Sequence, residues 1–185
     1  MPRPHDRSRT GHPPVLIPEA VIRERVRALG EEITERYLAE GADRELVVMG
    51  VLKGAFMFVA DLVREIDLPM IVDFVGASSY GDGRSSCGEV HLNPGSWVEV
   101  KGRDVLVVED VLDTGNTLKA VVAALESHGA RSVRTVALLR KPGAKVAPDF
   151  VGFEIDGRWV IGYGLDDAGK WRHLPYVGHV DGIGA

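Results

Sequence analysis

Between Ile17 and Glu40, apolar side chains fall at Val21, Ile22, Val26, Leu29, Ile33 and Tyr37, close to a helical period. Pro18 stands near the start and Gly41 just after the end, so the spacing predicts one helix with a single buried stripe. The period then changes. Residues 45–53 carry the unbroken apolar run LVVMGVL, of strand length, Gly54 interrupts it, and AFMFVADLVREI (55–66) returns to helical spacing. Residues 69–80, rich in β-branched and aromatic side chains, predict a second strand that runs into a Gly/Ser-rich mobile loop at 81–88. A third strand at 104–110 leads through the turn 111–116 into a helix at 117–129, closed by Gly129. A fourth strand at 133–140 ends at Lys141-Pro142, and the last forty residues mix short strand-like pieces with Gly, Pro and aromatic residues.

Strands that are apolar throughout need cover on both faces, and here they alternate with helices. The fold class expected is therefore α/β, a mainly parallel twisted sheet flanked by helices. In such sheets ligands bind beyond the carboxyl ends of the strands, so the loops after them are where chemistry is sought. No internal repeat or linker divides the chain, which predicts a tail over 1–16 and a single domain over 17–185. The tail holds Arg3, Arg7 and Arg9 among four prolines. It reads as a disordered segment, with a nucleic-acid arm as the other reading.

Composition narrows the classes. A 45 % apolar, 26 % charged chain of 185 residues is ordinary for a globular protein. Its net charge of −5 argues against a nucleic-acid partner bound by neutralising many phosphates. No apolar run reaches the roughly 20 residues that span a bilayer, and the first residues lack the apolar stretch of a secretory signal. The expectation is a cytoplasmic protein with no membrane partner. Cys87, the single cysteine, excludes an internal disulfide, and no Cys/His group has zinc spacing, so a metal would take oxygen ligands.

The stretch 107–118 is an apolar strand that ends in two acids and turns through small polar residues into a helix. Backbone N–H groups at a helix N-terminus, the hydroxyls of Thr114 and Thr117, and a glycine at 115 that permits close approach together suit a phosphate monoester. Glu109 and Asp110 repel phosphate but accept hydrogen bonds from sugar hydroxyls or hold a magnesium shell. A helix cap would account for Asp113 and Thr114 singly, not for the whole string. With no GxxxxGK[ST] and no GxGxxG in the chain, a sugar phosphate fits better than a nucleoside triphosphate.

The string EDVLDTGNTL (109–118) resembles the phosphoribosyl pyrophosphate motif of the type I phosphoribosyltransferase family, in particular its hypoxanthine phosphoribosyltransferases. VLKGAFMF (51–58), SSYGDG (78–83), LLRKP (138–142), DFVGFEI (149–155) and WVIGYGLD (159–166) match the same family in the same order. The resemblance implies that family's fold, with a small C-terminal hood and a flexible lid. It implies magnesium-dependent transfer of 5-phosphoribosyl from phosphoribosyl pyrophosphate to hypoxanthine or guanine, in a homodimer or homotetramer.

By that resemblance Glu109 and Asp110 face the ribose hydroxyls and the magnesium shell, and Thr114, Gly115, Asn116 and Thr117 hold the 5′-phosphate. Asp113 acts as general base near purine N7. Lys141 donates to the oxygen at C6, Trp159 stacks on the purine, and Val160 offers backbone groups to its edge. Lys53, Gly54 and Arg172 serve pyrophosphate, Asp166 meets a second magnesium, and Ser79 and Tyr80 belong to the lid. The family's Leu-Lys peptide, here Leu52-Lys53, is often cis. This sequence departs from the pattern at Asp167, where an aromatic commonly follows, at Ser85 in the lid, and across 91–100. Two other readings remain beside the main one: a regulator of the same fold that binds nucleotide and RNA, and a transferase that prefers xanthine.

Overall fold

The computed structural model describes residues 11–41, 45–79, 90–92 and 98–180. Tyr80, the lid segment 81–88 with Ser85 and Cys87, and residues 93–97 lie outside them, and for Ser79 only the backbone is described.

Six strands form the main sheet: β2 (Leu46–Leu52), β3 (Met70–Ser79), β4 (Val90–Leu92), β5 (Asp104–Leu112), β6 (Ser132–Arg140) and β7 (Phe150–Glu154). Their order is β4-β3-β2-β5-β6-β7, parallel from β3 to β7, with β4 antiparallel on the edge of β3. The helices are α1 (Glu19–Ala39), α2 (Phe56–Leu62) and α3 (Asn116–Ser127). Alternate residues of each central strand feed opposite cores, as the period of two requires. Leu46, Val48, Leu106, Val108, Val136 and Leu138 share a cluster with α1 and α2. Val47, Met49, Val105, Val107 and Ala137 share the other with α3. Cover on both faces is why the strand runs show no polar alternation. The expected mainly parallel α/β sheet is the one formed.

Element ends differ from the sequence pattern for local reasons. Ile17 was expected to open the first helix; instead Val15–Ile17 form β1 and the helix begins at Glu19. Pro18 restricts the residue before it to extended backbone, and its own carbonyl accepts from Val21 and Ile22. Residues 15 and 16, on the tail side of the expected boundary, are thus ordered against β9 (Val177–Val180), with the Pro14 carbonyl accepting from His179 N–H at 3.1 Å. Helix α2 stops at Leu62 rather than 66, because Arg64 and Glu65 bond to the carbonyls of Asp61 and Leu62, one residue tighter than an α-turn. The C-terminal strand pieces are β8 (Trp159–Ile161) and β9, which with β1 make a separate antiparallel sheet ordered β1-β9-β8.

The strand order reverses direction between β2 and β5, since β2 leads outward to β3 while the chain from β3 and β4 returns to β5 on the other side. Such a switch point opens a crevice at the carboxyl ends of the two strands. β2 pairs with β5 only as far as Gly50 and Val108, whereas β5 stays paired with β6 to Leu112. Glu109 and Asp110 therefore occupy the stretch of β5 from which β2 has turned away.

Candidate active site

The site is assembled from the loops after β2, β5 and β6 and from the β8 segment. Glu109 is 7 % exposed, and its Oε2 has no partner among the described residues. Burial, and then the neighbouring Asp110, push its carboxyl well above the usual range. Burial raises Asp110 as well, opposed by a hydrogen bond with the Glu109 side chain, by the one from Val111 N–H and by the nearby Arg172. Asp110 Oδ1 accepts from Val111 N–H at 2.8 Å, and its other oxygen faces the loop after β2, where a Cβ on Gly54 would run into it. A buried carboxyl with one oxygen unpartnered among the described residues is costly to folding. A ligand that donates to it recovers that cost.

Beyond the acids the chain makes the tight turn 113–115 into α3. Gly115 sits at φ 86°, a left-handed conformation suited to glycine, and its Cα lies against Val146, so a Cβ would meet Cγ2 at 2.5 Å. No side chain caps the first turn of α3, and Thr114 Oγ1 accepts from Asn116 N–H only at 3.4 Å. The amides that open the helix are thereby left to bond an anion. Thr114, Gly115, Asn116 and Thr117 stand together at this helix start.

Lys141 follows β6, and its N–H donates to the Leu112 carbonyl at 2.9 Å, which fixes it beside the motif. Its ammonium lies 3.2 Å from Asp113 Oδ2 and 5.9 Å from the centroid of the Trp159 ring. Lys141 is 9 % exposed, whereas the Asp113 side chain is 60 % exposed and free to meet a ligand. Val160 is buried next to Trp159 in β8. Three distant stretches of sequence thus converge on one cation, one carboxylate and one aromatic face.

A family model for the phosphoribosyl transferase domain matches residues 22–168. The chain belongs to the phosphoribosyltransferase family. It is 47 % identical to a hypoxanthine phosphoribosyltransferase of Salmonella typhimurium over 169 residues, covering 90 % of this chain and 94 % of that one. It is 43 % identical to a hypoxanthine-guanine phosphoribosyltransferase of Bacillus subtilis, covering 89 % and 91 %. Among solved structures it resembles a hypoxanthine phosphoribosyltransferase of Staphylococcus aureus with a TM-score of 0.82 and 38 % identity, covering 90 % of each chain.

On the far side of the crevice this phosphoribosyltransferase places Arg172 and Asp166 in contact. Arg172 donates from Nη2 to Asp166 Oδ1 at 2.5 Å and from Nη1 to the Gly164 carbonyl at 2.6 Å, and Asp166 Oδ2 accepts from Gly169 N–H at 2.6 Å. Lys53 is exposed and the Leu52-Lys53 peptide is cis. Asp167 is turned into a backbone pair with Lys170, N–H to carbonyl at 3.2 Å and the reverse at 3.0 Å. Sequence reasoning singled out neither Val146, which walls the 113–115 turn, nor Tyr163, whose hydroxyl ties the 162–165 turn to α2. Pro142-Gly143 after a strand was a signal for the first, and the glycines on either side of Tyr163 within 159–166 were one for the second. A cavity of about 440 Å³, lined in part by Ile22, Val26, Met57, Asp61 and Tyr163, opens between α1, α2 and that turn, away from the motif.

Proposed function

We propose that the chain works in purine salvage, moving the 5-phosphoribosyl group from phosphoribosyl pyrophosphate to N9 of hypoxanthine or guanine and releasing pyrophosphate. The observation that carries this reading is the meeting of Lys141, Asp113 and Trp159 beside an uncapped helix start. In the proposed step the purine stacks on Trp159, Lys141 donates to its 6-oxygen, and Val160 contributes backbone groups at its edge. An amino group at that position would oppose a donor, which disfavours adenine. The Asp113 carboxylate takes the proton from N7 as N9 forms the bond to the anomeric carbon, and the carbon–oxygen bond to pyrophosphate breaks with its electron pair on the leaving oxygen. A positioned base of this kind typically contributes 10²–10⁴-fold.

Thr114 to Thr117 would hold the 5′-phosphate, and Glu109 and Asp110 the ribose hydroxyls. Lys53, Gly54 and Arg172 would receive pyrophosphate, with Ser79 and Tyr80 in a lid over the site. Magnesium fits Glu109 and Asp110: Glu109 Oε2 is buried without a partner among the described residues and Asp110 follows it on β5, while Asp166, paired with Arg172, would meet a second magnesium. Among the described residues no three acids or histidines stand close enough to hold a metal by themselves, so substrate oxygens would complete either shell. Magnesium is ordinarily held by one or two carboxylates together with substrate phosphates, and it supplies charge neutralisation on the departing pyrophosphate.

A homodimer or homotetramer in the cytoplasm is the proposed state. Leu52, Phe56, Val72 and Phe74 are each more than a third exposed on β2, α2 and β3, which supports self-association. Among the described residues no helix is long and apolar enough to cross a membrane. The test of the reaction is nucleotide formation from phosphoribosyl pyrophosphate and magnesium with hypoxanthine, guanine, xanthine and adenine in parallel, alongside Asp113→Asn. Turnover of 6-oxopurines that falls by about 10²–10⁴ in the variant supports the reading. Binding of phosphoribosyl pyrophosphate without turnover of any base would favour the nucleotide-binding regulator instead.

A further inference from the structure

Gly162, Tyr163 and Gly164 have φ of 84°, 50° and 98°, three successive residues in the left-handed region. Glycine adopts that region freely, but a bulky aromatic residue rarely does, so something must hold Tyr163 there. The ring is 6 % exposed, and its hydroxyl donates to Asp61 Oδ2 on α2 at 2.6 Å, across 102 residues of sequence. Burial first, and then the bond to Asp61, raise the phenol above its ordinary value, so it stays a donor at any working pH. Behind it lies the cavity between α1 and α2, which Tyr163 and Asp61 both line, so on that side the hydrogen bond does what dense packing does elsewhere.

The turn is otherwise braced by backbone bonds. Gly162 and Leu165 exchange N–H to carbonyl bonds at 3.0 Å, Tyr163 N–H donates to the Leu174 carbonyl at 2.8 Å, and Gly164 N–H to that of Arg172 at 2.9 Å. The outcome is a direct stack of backbones: a Cβ on Gly164 would strike the Gly54 carbonyl, and a Cβ on Gly54 would strike the Asp110 carboxylate. Arg172, bonded to the Gly164 carbonyl, belongs to the same unit.

We infer that Tyr163 is a positioning residue for the pyrophosphate end of the substrate, its bond to Asp61 clamping the 162–165 turn onto the loop at Lys53 and Gly54. The inference rests on the transferase reading above. Helix α2 follows that loop directly, so a tie from the turn to Asp61 sets the spacing of Arg172, Gly54 and Asp110 together. The purine end is held separately: Lys141 by the Leu112 carbonyl, and Trp159, although its strand leads into the turn, by the pairing of β8 with β9.

The experiment compares wild type with Tyr163→Phe, Asp61→Leu and Asp61→Asn, the last of which keeps an oxygen acceptor for the phenol. Steady-state kinetics are read for both substrates, and amide hydrogen exchange is read over residues 53–56. The expected result is a KM for phosphoribosyl pyrophosphate raised about three- to tenfold in Tyr163→Phe and Asp61→Leu, the range of one coupled contact. The KM for hypoxanthine stays unchanged, Asp61→Asn behaves close to wild type, and exchange at 53–56 is faster in the two disruptive variants only. Unchanged KM and unchanged exchange in Tyr163→Phe would overturn the inference, as would an equal loss for both substrates. A wild type that forms no nucleotide would sink the transferase reading instead, and hydrogen exchange would still decide the clamp.

Discussion

Gly54→Ala adds one methyl group at the narrowest point of the crevice. Its Cβ would lie on the Asp110 carboxylate, which is held on the other side by Val111 N–H at 2.8 Å and so has little room to retreat. The opposite face of Gly54 is closed by Gly164, packed on its carbonyl. Forcing a methyl into a well-packed place typically costs about 1–3 kcal/mol. For a chain of this size each kcal/mol lowers the melting temperature by roughly 2–4 °C, so the variant should melt about 2–12 °C below wild type. The displaced carboxylate would also leave the position proposed for it at the ribose, so the KM for phosphoribosyl pyrophosphate should rise. Gly76→Ala is the control, because a Cβ there meets nothing within 4 Å, and its melting temperature should stay near or slightly above that of wild type. Calorimetry on both variants, with kinetics varied in phosphoribosyl pyrophosphate, gives the answer. If Gly54→Ala melts and binds as wild type does, Asp110 is not fixed against this loop and the argument for a pre-formed crevice fails.

Lys141→Met removes the donor proposed for the 6-oxygen while leaving the exposed Asp113 to water. A hydrogen bond from a charged group is worth about 1.5–3 kcal/mol, so kcat/KM for hypoxanthine should drop roughly 10- to 150-fold with little change in melting temperature, and an undiminished kcat/KM would remove Lys141 from purine recognition. Glu109, raised by burial and by Asp110, binds more protons folded than unfolded, so its contribution to stability is present below the unfolded carboxyl value of about 4.3 and is lost as pH rises through the higher folded value. In metal-free buffer Glu109→Gln should therefore gain melting temperature relative to wild type at neutral pH and not at pH 4, while losing activity; parallel pH profiles of the two proteins would refute the assignment. Removal of magnesium with a chelator should abolish nucleotide formation, with recovery on adding the ion back, as a radiochemical assay reads directly.

Much of this molecule is written locally. The apolar runs of β2, β5 and β6 and the helical spacing of α1 and α3 reflect the covalent periods of the backbone, which any stretch of sequence carries by itself. The motif at 109–118 is a contiguous strand, turn and helix, and so its acids, its glycine and its helix start were legible together, whereas the absence of a side-chain cap on that helix was not. Boundaries were less so, because Pro18 and the tightened end of α2 act through backbone bonds that periodicity does not register. The strand Val15–Ile17 was missed for a different reason: three residues are too few to show a period, and β1 exists only because β9 offers it an edge.

What tertiary structure decided is which loops meet. The residue pattern alone was enough for a mainly parallel α/β chain with a small polar turn after the strand at 104–110 that suits a phosphate. It did not determine that Lys141 would stand 3.2 Å from Asp113 under Trp159, or that Gly164, Gly54 and Asp110 would stack backbone to side chain across more than a hundred residues. Those contacts depend on strand order and on the reversal between β2 and β5. Strand order is set by the summed burial of two whole cores rather than by any local run of residues.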